Sequence, residues 1–250
     1  MPTAVGFHLR QLTRNSFFVQ LAVTSPVVFL LLRYLVARGA HAHIDATAWV
    51  DAVVVGLWTT TTTATGIIGY QRFQGTLEPM LLSPRSPGAV LTPVVVSTAL
   101  LGTVALPVTL GLVTILHGAP GVSSWPSLLD GFALAVIGCA ASATCLAGLF
   151  VLTRYALVYE SVLLTPVLLL SGAVAASDRL PEWALWLSWG SPLSGAVRVL
   201  HAAATGIDHA ATGWWTAASL LASAVHLLAA RVIMRLALRR ARRDGSLALS

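Results

Sequence analysis

Lysine is absent from this chain of 250 residues, in which all 15 basic residues are arginine. A nucleotide-binding P-loop requires the pattern Gly-x-x-x-x-Gly-Lys-Ser/Thr, because its lysine holds the nucleotide phosphates. The sequence therefore excludes a P-loop ATPase or GTPase site. Any process that this chain couples to nucleotide hydrolysis needs a second protein that carries the P-loop.

Charged residues of both signs are scarce. They make up 10% of the sequence, whereas hydrophobic residues make up 56%. A typical soluble domain is about 25% charged, and a soluble protein of the present composition would expose large apolar patches and aggregate. The composition predicts an integral membrane protein built from apolar helices.

Residues suited to covalent or metal chemistry are also few. Cys139 and Cys145 lie in an apolar stretch, about 240° apart around a helix, which favours packing over a disulfide. The seven histidines are scattered, and the His41-x-His43 pair has no further metal ligand at a fixed spacing. No nucleophile elbow or zinc-protease helix occurs, and the apolar stretches hold almost no acids for a proton relay. We expect no metal site, no catalytic site and no cofactor in this chain.

Six apolar stretches are each near the ~20 residues that cross a ~30 Å hydrocarbon core. The first could alternatively belong to a signal peptide, since Ala40-His41-Ala42 resembles a cleavage site, but its apolar run is long and Arg33 precedes that site. We predict a single transmembrane domain over residues 1–250. Its spans are expected at about 17–35, 50–70, 89–116, 128–152, 161–176 and 214–234.

Six spans place both termini on one side of the membrane, and the charges select that side. Eleven arginines and three acids fall on the side of the termini, against four arginines and six acids on the other. Because cytoplasmic loops carry the excess of basic residues, we expect cytoplasmic termini and a location in the plasma (inner) membrane. The net charge of +6 does not indicate nucleic acid, since six arginines cluster at 231–243, where anionic lipid headgroups attract them.

Residues 3–14 have the pattern of an interfacial helix. Val5, Leu9 and Leu12 fall on one helical face, and Arg10 and Arg14 fall on another. This arrangement is typical of helices that lie in the plane of the lipid headgroups. A basic tail without fixed structure is the alternative.

The loop between the second and third spans faces the cytoplasm by the same charge count. Gly75 permits a tight turn, Thr76 can cap a short helix, and Glu78 lies near the positive end of that helix. Pro84 stops the helix before the third span. An apolar stripe at helical spacing suits docking into a groove of a partner protein, and a plain turn is the alternative. The stripe consists of Leu77, Met80 and Leu81.

The same loop resembles the signature of ABC-2-type permeases, the group that includes daunorubicin-type drug exporters. The resemblance rests on a Gly-Thr-Leu-Glu string at 75–78, an arginine three residues earlier, and two leucines and a proline after it. Gln71 stands where an acid is common, and Thr92-Pro93 stands where a Gly-Lys often opens the third span. The resemblance implies that the loop is a coupling helix that contacts a cytoplasmic ATPase subunit. The residues assigned to ATPase coupling are Arg72, Gly75, Thr76, Leu77, Glu78, Met80, Leu81, Leu82, Pro84 and, from the N-terminal helix, Arg10 and Arg14.

Tryptophans mark the segment between the fifth and sixth spans, where three occur within seven residues. The segment resembles the ABC-2 pattern Leu-Pro-x-Trp…Pro-Leu…Arg, with Ser191 where asparagine is frequent. The resemblance implies short re-entrant helices on the outer side, and simple anchoring of the tryptophans in the interface is the alternative. The residues concerned are Pro181, Trp183, Trp186, Pro192 and Arg198.

Five consecutive threonines, residues 59–63, lie within the second span. Their hydroxyls can bond to the carbonyl one turn earlier, so they are tolerable in lipid and can bend the helix. In the resembled family the second and fifth spans line the substrate path between two protomers, and close helix packing is the alternative role. The substrate-path residues that follow are Thr59, Thr62, Thr63, Tyr159, Thr165 and Leu169.

We therefore expect an all-α integral membrane fold with six spans, an N-terminal interfacial helix, a cytoplasmic coupling helix and short re-entrant outer helices. The resemblance implies a permease subunit of an ATP-driven exporter, not itself an enzyme, that moves drug-like or lipid-like amphipathic molecules. Its expected partners are two copies of a cytoplasmic ABC ATPase that hold ATP and Mg, a second permease in a homodimer or heterodimer, and membrane lipids. A non-transporting scaffold or immunity protein and an integral-membrane lipid-modifying enzyme are the alternatives.

Overall fold

The computed structural model describes residues 2–66, 87–152, 165–174, 181–207 and 209–244. These residues form helices and no strand, and residues 165–170 are a short helical stretch among them. The longer helices are α1 (Pro2–Arg14), α2 (Ser16–Gly39), α3 (Ala48–Thr65), α4 (Pro87–Gly102), α5 (Ala105–His117), α6 (Trp125–Leu152), α7 (Glu182–Ser188), α8 (Pro192–Thr205) and α9 (Thr212–Asp244).

Helix α3 lies at the centre of the described structure. It contacts α2, α4, α5, α6 and α8, and all of its residues except Thr59 and Thr63 are buried. Val53, Leu57 and Trp58 of α3 belong to the largest core cluster. Because lipid is as apolar as these side chains, the helices are held together in a membrane by packing and polar contacts rather than by escape from water.

Small residues allow α3 to approach its neighbours closely. A Cβ atom added to Gly56 would lie 2.8 Å from Pro26 of α2 and 2.9 Å from Ala105 of α5. A Cβ atom added to Gly102 of α4 would lie 2.8 Å from Leu57 of α3. Both glycines therefore sit where a side chain has no space, and they fix the distance between α3 and the surrounding helices.

The predicted third span is broken into two helices, α4 and α5. The break falls at Thr103 and Val104, whose backbone amides bond to the carbonyls of Leu100 and Leu101, three residues earlier rather than four. Pro107 explains the break, because a proline has no amide hydrogen and its ring clashes with the carbonyl four residues before it.

Four helical segments are long and apolar enough to cross a membrane: Ser16–Gly39, Val90–His117, Trp125–Val151 and Thr212–Leu236. They correspond to the first, third, fourth and sixth predicted spans. Helix α3 covers most of the predicted second span, whose residues 67–70 lie outside the described residues. The predicted fifth span is described only at 165–174, so the count of six remains a prediction.

Helix α1 packs at the end of α3 that leads towards the predicted coupling loop. Leu12 of α1 shares a core cluster with Phe18 of α2, Ala64 of α3 and Leu101 of α4. Asn15 separates α1 from α2, and its side chain accepts a hydrogen bond from the backbone amide of Phe17 at 3.1 Å. The helix predicted at 3–14 is therefore present, and its position in the headgroup plane remains a prediction.

Candidate functional site

The candidate site follows α3 from one end to the other. Asp51 lies in the first turn of α3 and the threonines occupy its last two turns. A rise of 1.5 Å per residue separates Asp51 from Ala64 by about 20 Å, so α3 joins two regions with different chemistry.

Three of the four buried threonine hydroxyls of α3 are satisfied within the helix, whereas the hydroxyl of Thr60 is buried without a hydrogen-bond partner among the described residues. Thr61 Oγ1 donates to the carbonyl of Leu57 at 2.7 Å, and Thr62 Oγ1 donates to the carbonyl of Trp58 at 2.7 Å. Thr65 Oγ1 donates in the same way to Thr61. These bonds let the threonine side chains be buried among apolar residues without a partner from another helix.

Of the three threonines predicted for the substrate path, Thr59 and Thr63 are partly exposed and Thr62 is 2% exposed. Residues 59 and 63 are one helical turn apart and form a single stripe. Thr62 lies off that stripe, and its hydroxyl is bonded within its own helix. The structure thus leaves one polar stripe of α3 open, formed by Thr59 and Thr63.

The predicted path residues of the fifth span are described only in part. Thr165 and Leu169 are both exposed and one helical turn apart. Val167 and Leu168, on the other side of this short helix, pack against the main core cluster. Tyr159 lies outside the described residues.

The predicted ATPase-coupling residues divide into two sets. Arg10 and Arg14 are exposed on α1, near the end of α3 that precedes the coupling loop. The members of that loop lie outside the described residues: Arg72, Gly75, Thr76, Leu77, Glu78, Met80, Leu81, Leu82 and Pro84.

The tryptophan segment contains two helices, α7 and α8, with Pro181 just before the first and Pro192 opening the second. Trp183 and Trp186 are 66% and 78% exposed, as residues that anchor in an interface need to be. The Cζ atom of Arg198 lies 4.2 Å from the ring centroid of Trp215, a cation–π contact that joins α8 to α9. Whether α7 and α8 re-enter the membrane remains a prediction.

An ionic cluster, formed by the buried Asp51 and by Arg33 and His201, lies at the other end of α3. The Asp51 side chain is 3% exposed. Arg33 Nη2 of α2 donates to Asp51 Oδ2 at 3.0 Å, and His201 Nε2 of α8 lies 2.6 Å from Asp51 Oδ1. One carboxylate therefore joins three helices.

This cluster was not predicted from the sequence, because its charged residues were used only to decide which side of the membrane each loop faces. The pairing of Asp51 with Arg33 has a readable signal: an acid near the start of one apolar helix follows an arginine near the end of the preceding helix. His201 lies 150 residues from Asp51, and its position depends on the packing of α8, which no local pattern predicts.

A cavity of about 280 Å³ borders the cluster. Arg33, Asp51 and His201 line it together with Asp45 and Arg198. Burial works to raise the pKa of Asp45, but hydrogen bonds from Thr47 and the charges of Arg33 and His201 lower that pKa below its ordinary value. The cavity is thus lined by side chains of both charge signs and is polar enough to hold water.

Among the described residues no group of three or more His, Cys, Asp or Glu side chains is placed to hold a metal ion. The polar groups on α3 are hydroxyls and one paired carboxylate. The hydroxyls can border a path for transported molecules or pack between helices. The paired carboxylate can fix the positions of the helices that it joins.

Comparison with curated proteins finds none that matches this chain. The sequence model of the ABC-2 type transporter family matches residues 4–204, from α1 to the end of α8. The match covers the central helix, the ionic cluster and the helices that pack around them. The chain belongs to the ABC-2 type transporter family, and is therefore a multi-pass membrane component of a transport system.

Proposed function

We propose that this chain is the permease subunit of an ATP-driven exporter, and that a separate subunit hydrolyses the ATP. The observation that carries the proposal is the family match over residues 4–204 in a chain that has no lysine for a P-loop. ATP and Mg are then held by a cytoplasmic ABC ATPase, in two copies per transporter. Both termini and the coupling loop lie on the cytoplasmic side of the inner membrane.

The coupling surface of this permease consists of the loop at 72–84 and the exposed arginines of α1. Arg10 and Arg14 support this assignment, because α1 packs beside the end of α3 from which the loop departs. Closure of the ATPases pushes on the loop, and α3 carries the motion into the bundle. Two permeases, as a homodimer or heterodimer, enclose the path.

Cargo passes along the open stripe of α3, formed by Thr59 and Thr63, and the exposed face of Thr165 and Leu169. Together the two surfaces combine threonine hydroxyls with the apolar side chain of Leu169. A surface of this kind matches amphipathic molecules, such as drug-like or lipid-like compounds, better than ions or sugars.

The first experiment is purification of the chain from its own membrane in mild detergent, with mass spectrometry of the proteins that accompany it. We expect a stoichiometric partner with a P-loop. Replacing Glu78 and Leu81 by alanine should remove this partner. Glu182→Ala is the matched control, because Glu182 is an exposed acid at the start of α7, on the predicted outer side.

Two outcomes contradict the proposal. A folded, dimeric chain that brings no ATPase in several detergents indicates a scaffold or immunity protein. Equal loss of the partner in the Glu182→Ala variant indicates that the coupling loop is not the docking site.

A further inference from the structure

We propose that the ionic cluster of Asp51, Arg33 and His201 is a latch, which closes one end of the bundle and is released during transport. Asp51 is the positioning residue of this latch, since it holds the first turn of α3 against α2 and α8. The inference rests on the proposed transport function, because a latch is needed only if that end of the bundle opens. By the charge count, this is the predicted outer end.

The energetics of the ionic cluster favour a contact that can be released. Asp51 is the one buried charged residue among those that the structure describes. A buried ion pair contributes little net stability compared with apolar side chains of the same volume, because both charges lose their hydration. The cluster is also incomplete, since the Nε atom of Arg33 is buried and has no hydrogen-bond partner among the described residues. Such a cluster adds little net stability to the fold. Its role is to specify one arrangement of α2, α3 and α8.

The cluster lies at the small contact between α8 and α3. Helix α8 packs mainly on α6 and α9, and its contact with α3 is much smaller. The contact between His201 and Asp51 is a polar link across that small contact. Breaking it separates α8 from α3 with little loss of apolar packing, whereas separating α8 from α6 would disrupt the core.

The cavity beside the cluster can supply water when the latch opens. The side chains of Arg33 and His201 are 36% and 30% exposed, whereas that of Asp51 is 3% exposed. Arg33 and His201 therefore already reach the cavity of about 280 Å³. When the latch opens, water in this cavity can hydrate all three groups, so release does not leave a charge stranded in an apolar medium.

The test measures the distance between α2 and the residues after α8. Nitroxide labels are placed at Leu35 and Ile207, which are 62% and 67% exposed, after Cys139 and Cys145 are replaced by alanine. The distance between the two labels is measured by pulsed electron paramagnetic resonance on the purified chain in lipid nanodiscs without ATPase. We expect one short distance in the unsubstituted chain, and a longer distance whose population rises at least about 10-fold in Asp51→Asn.

Asp45→Asn is the matched control. It removes the same charge from the same cavity, but the hydrogen bonds of the Asp45 side chain are made to Thr47 in its own segment. We expect this variant to keep the short distance. Equal distance distributions in Asp51→Asn and Asp45→Asn would overturn the latch.

A second pair of variants covers the case in which Asp51→Asn does not fold. His201→Gln keeps a hydrogen-bond donor towards Asp51, whereas His201→Leu has none. We expect the short distance in His201→Gln and the longer one in His201→Leu. Two identical distributions would show that the cluster does not hold the helices together.

A final measurement separates the latch from the proposed function. The labelled chain is studied with its copurified ATPase and a non-hydrolysable ATP analogue, and the longer distance of Asp51→Asn should then appear in the unsubstituted chain. If no ATPase copurifies, the proposed function fails while the distances without ATPase still report on the latch. If the ATPase binds but the distance never changes, the latch is wrong and the transport function stands.

Discussion

The two ends of α3 show two ways to bury a polar group in an apolar bundle. At the threonine end, Thr61 and Thr62 bond to carbonyls of α3 itself. At the other end, Asp51 bonds to side chains from α2 and α8. Bonds within one helix do not restrict how that helix moves against its neighbours, whereas bonds between helices do. The comparison indicates that side-chain hydrogen bonds tie α3 to neighbouring helices at the Asp51 end, whereas the bonds of Thr61 and Thr62 do not tie it to them at the threonine end.

The largest expected effect comes from removing a partner of Asp51. Arg33→Leu leaves the buried carboxylate with His201 alone, and we expect a loss of about 2–3 kcal/mol in the free energy of unfolding. This is below the usual range for breaking a buried pair, because Arg33 is partly exposed. Thermal unfolding in detergent measures the loss. Arg38→Leu is the control, because Arg38 is an exposed arginine further along α2. An equal loss of stability in Arg38→Leu would mean that Arg33 acts through the general charge of this region rather than through Asp51.

The second prediction concerns the middle of α3. Gly56→Ala places a methyl group within 2.9 Å of Pro26 and Ala105, so we expect a destabilisation of about 2 kcal/mol from overpacking. Gly111 of α5 has nothing within 4 Å of an added Cβ atom, and Gly111→Ala should stabilise its helix by about 0.5–1 kcal/mol. The two variants should shift the unfolding temperature in opposite directions. Shifts of the same sign would show that α3 does not approach α2 and α5 as closely as described.

The third prediction tests the threonine end. Replacing Thr59 and Thr63 together by valine should lower ATP-dependent transport about fivefold or more, because the change removes the hydroxyls of the open stripe. Thr61→Val is the control, since Thr61 is buried and its hydroxyl bonds to its own helix. All three replacements should change stability by less than about 1 kcal/mol. Equal transport in the double variant and the control would mean that the stripe does not border the path.

The helices were largely predictable because they follow from apolar length. The first, fourth and sixth predicted spans match candidate membrane spans within a few residues. The third span also matches, but its break at Thr103 was not predicted, although Pro107 was a visible signal. The burial of α3 at the centre was not predicted, because it comes from five neighbouring helices rather than from the sequence of α3 itself, and its role as the second span remains a prediction.

The candidate site was less predictable than the fold. The threonines stood out in the sequence, but which of them stays exposed depends on the rotation of α3 within the bundle. Asp51 and Arg33 look like ordinary charged residues near the ends of spans, and His201 looks like one of seven scattered histidines. They become a cluster only when α2, α3 and α8 meet, and contacts between segments 150 residues apart have no local signature.

The smallest expected effect comes from Asp45, which shares the cavity with Asp51 but has no hydrogen bond to another helix among the described residues. Because folding lowers the pKa of Asp45, its contribution to stability is present at neutral pH and is lost as the pH falls through the carboxyl range. Asp45→Asn should therefore slightly reduce the fall in unfolding temperature between neutral and acidic pH. At pH 7 the unfolding temperature itself should change little. Asp45 is exposed, so solvent screens its charge and the shift should be far smaller than for Arg33→Leu. Comparable shifts in the two variants would show that the stability of the Asp51 end of α3 comes from the total charge of the cavity. The bonds from Asp51 to other helices would then not be what distinguishes this end from the threonine end.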